Sequence, residues 1–124
     1  MKIIKILINL FTIISVLVLI LALIYIFQIT IQKKEYGTLF GYSIFQIASG
    51  SMEPTINIGD RILMKESKDI TEGDIVLYKN EDTLVCHRVE EIKDNNVICK
   101  GDNNNSKDKE ISKNEIIGKI IHIF

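Results

Sequence analysis

The chain has 124 residues, 15 basic and 16 acidic, with a formal net charge of −1, which leaves room for one small domain and an anchor but not for two domains. That balance argues against a nucleic-acid binder, which needs a basic excess on one face. Two cysteines and two histidines do not make a disulfide framework or a metal cluster, and no cofactor is expected.

In chain order, Ile6 to Ile31 contains no charged residue, and Asn9, Thr12, Ser15, Gln28 and Thr30 are its main polar interruptions. A helix of about 20 apolar residues crosses a bilayer, so this run predicts a transmembrane anchor with some tilt. A cleavable leader would have an apolar core of about 7–15 residues and small residues at its cut site. This core is longer, and Tyr25, Phe27 and Gln28 make a poor cleavage site. Lys2 and Lys5 flank one end, Lys33 and Lys34 the other, so orientation rests only on the α-amino group, which favours an inside N-terminus. From Tyr36 onward the charge turns acidic, with 11 basic and 15 acidic residues. Tyr36, Phe40, Tyr42 and Phe45 follow the helix; such aromatics either sit at the headgroup level or pack into the first layer of a core.

The rest reads as short strands: Ser43 to Ala48, Arg61 to Lys65, Ile75 to Tyr78, Leu84 to Ile92, Val97 to Lys100 and Ile116 to Phe124. Gly, Asp and Asn turns separate them, and Asp94-Asn95-Asn96 marks a hairpin. Asn103 to Glu110 is polar and predicts a surface loop. The expected fold is mainly β, a compact barrel or sandwich behind one transmembrane helix, with the anchor over 1–35 and the β-rich domain over 36–124. If Lys93 faces Val97 across the hairpin, Cys99 faces Glu91, which argues against a bond to Cys86.

One stretch carries chemical promise. Ser49-Gly50-Ser51-Met52-Glu53-Pro54-Thr55 follows the first strand and contains the chain's single proline. Gly50 permits a sharp turn and Pro54 restricts the backbone beyond it. A serine on such a turn is a nucleophile when a base lies within hydrogen-bond reach; otherwise it belongs to a polar loop. His87, inside the apolar run Leu84 to Val89, can supply that base. A carboxylate on the far ring nitrogen would fix the tautomer, and both Asp102 and Asp108 qualify. Asp102, in Gly101-Asp102-Asn103-Asn104, equally suits a turn cap, and Asp108 between Lys107 and Lys109 equally suits a solvated charge. Lys65 is a rival base for a Ser–Lys dyad, and it also reads as a snorkelling lysine on an edge strand.

Ser51-Met52-Glu53-Pro54-Thr55, Gly73-Asp74-Ile75-Val76, His87-Arg88-Val89 and Gly101-Asp102-Asn103-Asn104 with Asp108 resemble the ordered boxes of signal peptidase I. The histidine makes the resemblance one to the type found in the endoplasmic reticulum, in archaea and in some Gram-positive bacteria. The common bacterial type has a lysine there. The resemblance implies a membrane-anchored serine endopeptidase that removes N-terminal signal peptides from secretory precursors. It implies a cytoplasmic N-terminus and an extracytoplasmic catalytic domain. It also implies Ser51 as nucleophile, His87 as base, Asp108 as the orienting carboxylate and Asp102 as an auxiliary. The Ser51 N–H, with the Ser49 hydroxyl, would form the oxyanion hole. An extended signal peptide would pair along a strand edge, its small residues in shallow pockets for which Ile47, Met52 and Val85 are candidates.

Beyond signal peptides and the bilayer, a further membrane subunit is an open expectation, because some Gram-positive relatives carry a second apolar span. Two other classes stay in view. One is a membrane-tethered β-domain that binds peptide or a partner without catalysis. The other is a cytoplasmic-side peptidase using Lys65.

Overall fold

The computed structural model describes residues 1–32 and 35–124, so Lys33 and Lys34 lie outside the described residues. The chain divides into two compact units, Met1–Phe40 and Gly41–Phe124.

The first unit is built on one helix, α1 (Lys2–Thr30). Its 29 residues give a length of about 43 Å, more than the ~30 Å of a bilayer's hydrocarbon core. None of its residues is buried, and it is long and apolar enough to cross a membrane. Two polar side chains in the span are satisfied within the helix, Thr12 Oγ1 donating to the Ile8 carbonyl and Ser15 Oγ to the Phe11 carbonyl, each at 2.9 Å. Near its end, Gln28 Oε1 accepts from the Thr38 amide at 2.8 Å, and Gly37 lies so close to the Tyr25 ring that a larger residue would have to displace the ring.

The second unit is a single seven-stranded antiparallel sheet. Its strands are β1 (Tyr42–Gln46), β2 (Arg61–Glu66), β3 (Ile75–Asn80), β4 (Thr83–Lys93), β5 (Asn96–Lys100), β6 (Ile111–Ser112) and β7 (Ile116–Ile123). The spatial order is β1-β2-β7-β3-β4-β5-β6, so the last strand enters the middle of the sheet. Along β3 and β4, successive residues alternate between two cores, as the period of a strand requires. One core gathers Val76, Tyr78, Val89, Val97, Cys99 and Ile116; the other gathers Met52, Ile56 and Ile62, with Ile75 and Cys86 against it. The expected strands are all present, within two residues at each end. The short β6 and the 3-10 turn Lys113–Glu115, which Ser112 caps, carried no apolar run to announce them.

Two local expectations change. Gly50 is not among the glycines with positive φ, which are Gly41, Gly59 and Gly73. An added Cβ would come within 3.2 Å of the Glu53 carboxyl, so a larger residue there would have to displace that side chain slightly. The β4–β5 hairpin is also tighter than expected. Lys93 pairs with Asn96 around Asp94-Asn95, Asp94 takes φ 54°, and a bulge between Val89 and Glu91 brings Cys99 opposite Val89. Cys86 and Cys99 are free thiols, as expected. The aromatics after the helix divide: Phe45 packs against the core of Met52, Ile56 and Ile62, whereas Phe40 is 85% exposed.

β7 passes β2 at very close range. A Cβ on Gly118 would lie 2.1 Å from Met64 Sδ and 2.4 Å from the Lys65 carbonyl oxygen. The second contact is backbone and cannot rotate away. Gly118→Ala is therefore expected to destabilise the β unit by about 2–3 kcal/mol, read as a lowered denaturation midpoint of the full chain in detergent micelles.

Candidate active site

The Ser51 turn is held from below by its own apolar residues. Met52 is 1% exposed and Ile56 fully buried, each contributing about 1.5–3 kcal/mol by burial. The turn between them is closed by the Ile56 amide donating to the Met52 carbonyl at 3.0 Å. The base of the excursion is tied by Ile47 N–H to the Asp60 carbonyl at 2.9 Å and Gly59 N–H to the Ile47 carbonyl at 2.8 Å. The Glu53–Pro54 peptide is cis. Ser51 is thus lifted from a plugged loop, half-buried at the mouth of a cleft.

His87 comes from β4, where Val76 of β3 is its cross-strand partner. Its Nε2 lies 3.1 Å from Ser51 Oγ, and its Nδ1 lies 2.6 Å from Asp108 Oδ2. His87 as a residue is 8% exposed, so both ring nitrogens work in largely dry surroundings. With Nδ1 donating to the carboxylate, Nε2 is left as the acceptor facing the hydroxyl. Asp108 is brought in by its own backbone, whose N–H donates to the Cys99 carbonyl at 2.8 Å. Its Oδ2 also accepts from the Tyr78 hydroxyl at 2.7 Å.

Asp102, the other carboxylate singled out from the sequence, is not brought to His87. Its two oxygens take Arg88, from Nε at 2.9 Å and from a terminal nitrogen at 2.7 Å, and Oδ2 also accepts the Thr55 hydroxyl at 2.6 Å. Arg88 in turn donates to the Gly73 carbonyl at 2.9 Å. All four sequence boxes therefore meet at one clamp. The following loop completes it: the Asn103 amide donates to the Ser51 carbonyl at 2.8 Å, and its side chain to the Gly50 carbonyl at 3.0 Å. Gly101 packs directly on the serine, since a Cβ there would lie 2.6 Å from the Ser51 carbonyl oxygen.

The other residues singled out fall as follows. Ser49 Oγ is 3.3 Å from Ser51 Oγ. Ile47, Met52 and Val85 all line a largely apolar cleft of about 430 Å³ that also reaches Ser51 and His87. Lys65 lies over the Tyr42 ring, 5.9 Å from its centre. Tyr78 carried no motif signal. The β3–β4 hairpin register would have revealed it: a two-residue turn at Glu81-Asp82 sets Val76 opposite His87 and places Tyr78 diagonally across on the same face.

Residues 28–121 match the Peptidase S24-like family. The chain belongs to that family. Signal peptidase I W of Bacillus subtilis (strain 168) is 36% identical over 110 residues, covering 80% of this chain and 55% of that protein. The signal peptidase complex catalytic subunit SEC11 of Plasmodium falciparum (isolate 3D7) is 37% identical over 70 residues, covering 51% of this chain and 38% of that protein. The sequence boxes and these relatives place the chain with signal peptidase I. It spans about half, or less, of the length of the curated relatives it matches.

Charge states follow the geometry. The Arg88 bonds hold the Asp102 carboxyl below its usual 3.8, although burial opposes them, and Asp102 raises Arg88 in return. Burial, then the charge of Asp102, pushes the Cys86 thiol up to about 12; burial, then Asp108, does the same for Cys99. Neither cysteine supplies a thiolate near neutral pH. A folded-state carboxylate held below its unfolded value adds stability above about pH 4, which is lost as pH falls through the lower folded value. Asp102→Asn is thus expected to cost about 1–2 kcal/mol at pH 7, a range discounted because Arg88 is one-third exposed. The gap from wild type should close below pH 4, as measured by denaturant midpoints across pH.

Proposed function

We propose that this chain is a membrane-anchored serine endopeptidase that removes N-terminal signal peptides from secretory precursors. One observation carries the reading: an unbroken line of contacts from Ser51 Oγ through His87 to Asp108 Oδ2, at 3.1 and 2.6 Å. Family membership supports the substrate class, and α1 supports the anchor. The N-terminus is cytoplasmic and the β unit extracytoplasmic in this proposal.

Ser51 Oγ attacks the scissile carbonyl as His87 Nε2 takes its proton. The C–O bond forms, and the carbonyl electrons move onto oxygen. The Ser51 N–H and the Ser49 hydroxyl are the proposed donors to that oxyanion. Collapse breaks the C–N bond, and His87 returns the proton to the leaving amine, which is the new N-terminus of the mature protein. The signal peptide stays as an ester on Ser51. Water then attacks the ester with His87 again as base, releasing the signal-peptide carboxylate. Asp108 holds Nδ1–H throughout and stabilises the imidazolium. Asp102, occupied by Arg88 and Thr55, acts here as the clamp on the serine turn and not as a second relay member.

The peptide would lie extended in the apolar cleft and pair with a strand edge. Ile47 and Val85 would shape its sides. Met52 is fully covered and its sulfur accepts from the Asp102 N–H at 3.5 Å, so it would form the floor. The cytoplasmic Ser–Lys alternative loses support from the position of Lys65 over Tyr42.

The full chain reconstituted in lipid with a secretory precursor tests the proposal. Ser51→Ala and His87→Ala should each abolish cleavage while the β unit stays folded. Lys65→Ala should cleave like wild type. A serine-directed acylating probe should label Ser51 only when His87 is present. A folded wild type that neither cleaves nor labels would identify a binding module instead.

A further inference from the structure

We infer that Tyr78 is a positioning residue of the relay: its hydroxyl, donated to Asp108 Oδ2, holds that carboxylate in line with His87 and tempers its pull on the imidazole proton. The inference rests on the Ser–His reading proposed above and adds a fourth member to it.

Asp108 needs such a support. It lies in the polar loop after β5, between two lysines, and its side chain is 22% exposed against 10% for His87. Its backbone bond to Cys99 fixes where the chain passes, not where the carboxyl points. Tyr78 is the opposite kind of residue. It is 2% exposed in the middle of β3, packed in the core with Val76, Val89 and Ile116, and its ring stands edge-on to His87 at 6.4 Å. Its hydroxyl therefore projects from a fixed frame. At 2.7 Å from Asp108 Oδ2 it shares with His87 Nδ1 the same carboxylate oxygen.

The other groups facing Asp108 do not take over this role. Cys99 on β5 stays a neutral thiol. Lys107 is turned to Glu90, at 3.2 Å. Lys109 is exposed beside it in the loop. The Tyr78 hydroxyl is a permanent donor, because burial, and then the bond and charge of Asp108, raise it far above the usual phenol range.

Sharing one oxygen between two donors has a direction. Each donor draws charge from the carboxylate, so Tyr78 weakens the hold of Asp108 on the proton of the imidazolium. Without the hydroxyl the imidazole should keep its proton to higher pH. The acid limb of the rate profile, which requires a neutral base, should then move to higher pH.

Tyr78→Phe keeps the ring and removes only the hydroxyl. In the lipid-reconstituted full chain, kcat should fall roughly tenfold with KM unchanged, the size expected of a lost charge-assisted hydrogen bond. The same change in an Asp108→Asn background should add less than about twofold, because the shared partner is already gone. Independently of turnover, NMR titration of the two ring-labelled histidines in micelles should show the His87 midpoint moving upward relative to wild type. His122, on β7, is the internal reference. An unmoved His87 midpoint overturns the inference whatever the rate does, and so does an equal loss in the Asp108→Asn background. Ser51→Ala, assayed alongside, separates the two readings. Full cleavage by it removes the Ser–His proposal, whereas the titration still reports on the Tyr78 contact.

Discussion

Alternation along one strand organises the site. His87 and Arg88 are neighbours on β4 and so point to opposite faces of the sheet. Each recruits its own aspartate: His87 takes Asp108, and Arg88 takes Asp102. The free thiols register the same division, since Cys86 feels the charge of Asp102 and Cys99 that of Asp108. Two carboxylates six residues apart in one loop are thereby kept from competing for one imidazole. A one-residue slip of β4 would exchange the two faces and undo both pairings together. The long β3–β4 and β4–β5 pairings guard against that slip.

Much of this was legible in the residues, and what was not has physical causes. Strands with apolar runs bounded by Gly, Asp and Asn could be read directly, because alternation and turn chemistry are local. The register of β4 on β5 could not, because Asp94 adopts a left-handed conformation that shortens the turn and a bulge then shifts the pairing. β6 has two residues and owes its existence to β5 beside it. The turn at Gly50 was legible, but it does not use the left-handed freedom expected of the glycine. The serine, the histidine and both aspartates stood out by type and order. Their division of labour came only through the family resemblance, since nothing local says that Thr55 and Arg88 have already claimed Asp102. Tyr78 stood only at the end of a predicted strand, and nothing local announced the partner of its hydroxyl.

The distances at the site depend on two polar loops, and small sheets hold such loops poorly by apolar contact alone. The serine turn has Met52 and Ile56 as plugs, but the loop from Gly101 to Asp108 contributes no comparable side chain to either core. Polar bonds make up the difference. Asn103 spans Gly50 and Ser51, Thr55 reaches Asp102, and Asp108 is fastened to β5 through its backbone. Among the described residues no buried side-chain polar atom lacks a partner. A fully satisfied network of this kind fixes one arrangement, whereas a partly satisfied one would cost stability and leave several. This is why the sequence boxes are wider than the chemistry. Of their residues only Ser51 and His87 would react in the proposed mechanism, with Asp108 just beyond the last box. The remaining glycines, asparagines, Thr55, Arg88 and Asp102 set the Ser51 hydroxyl 3.1 Å from the imidazole, and a nucleophile without that distance would be a turn serine like any other.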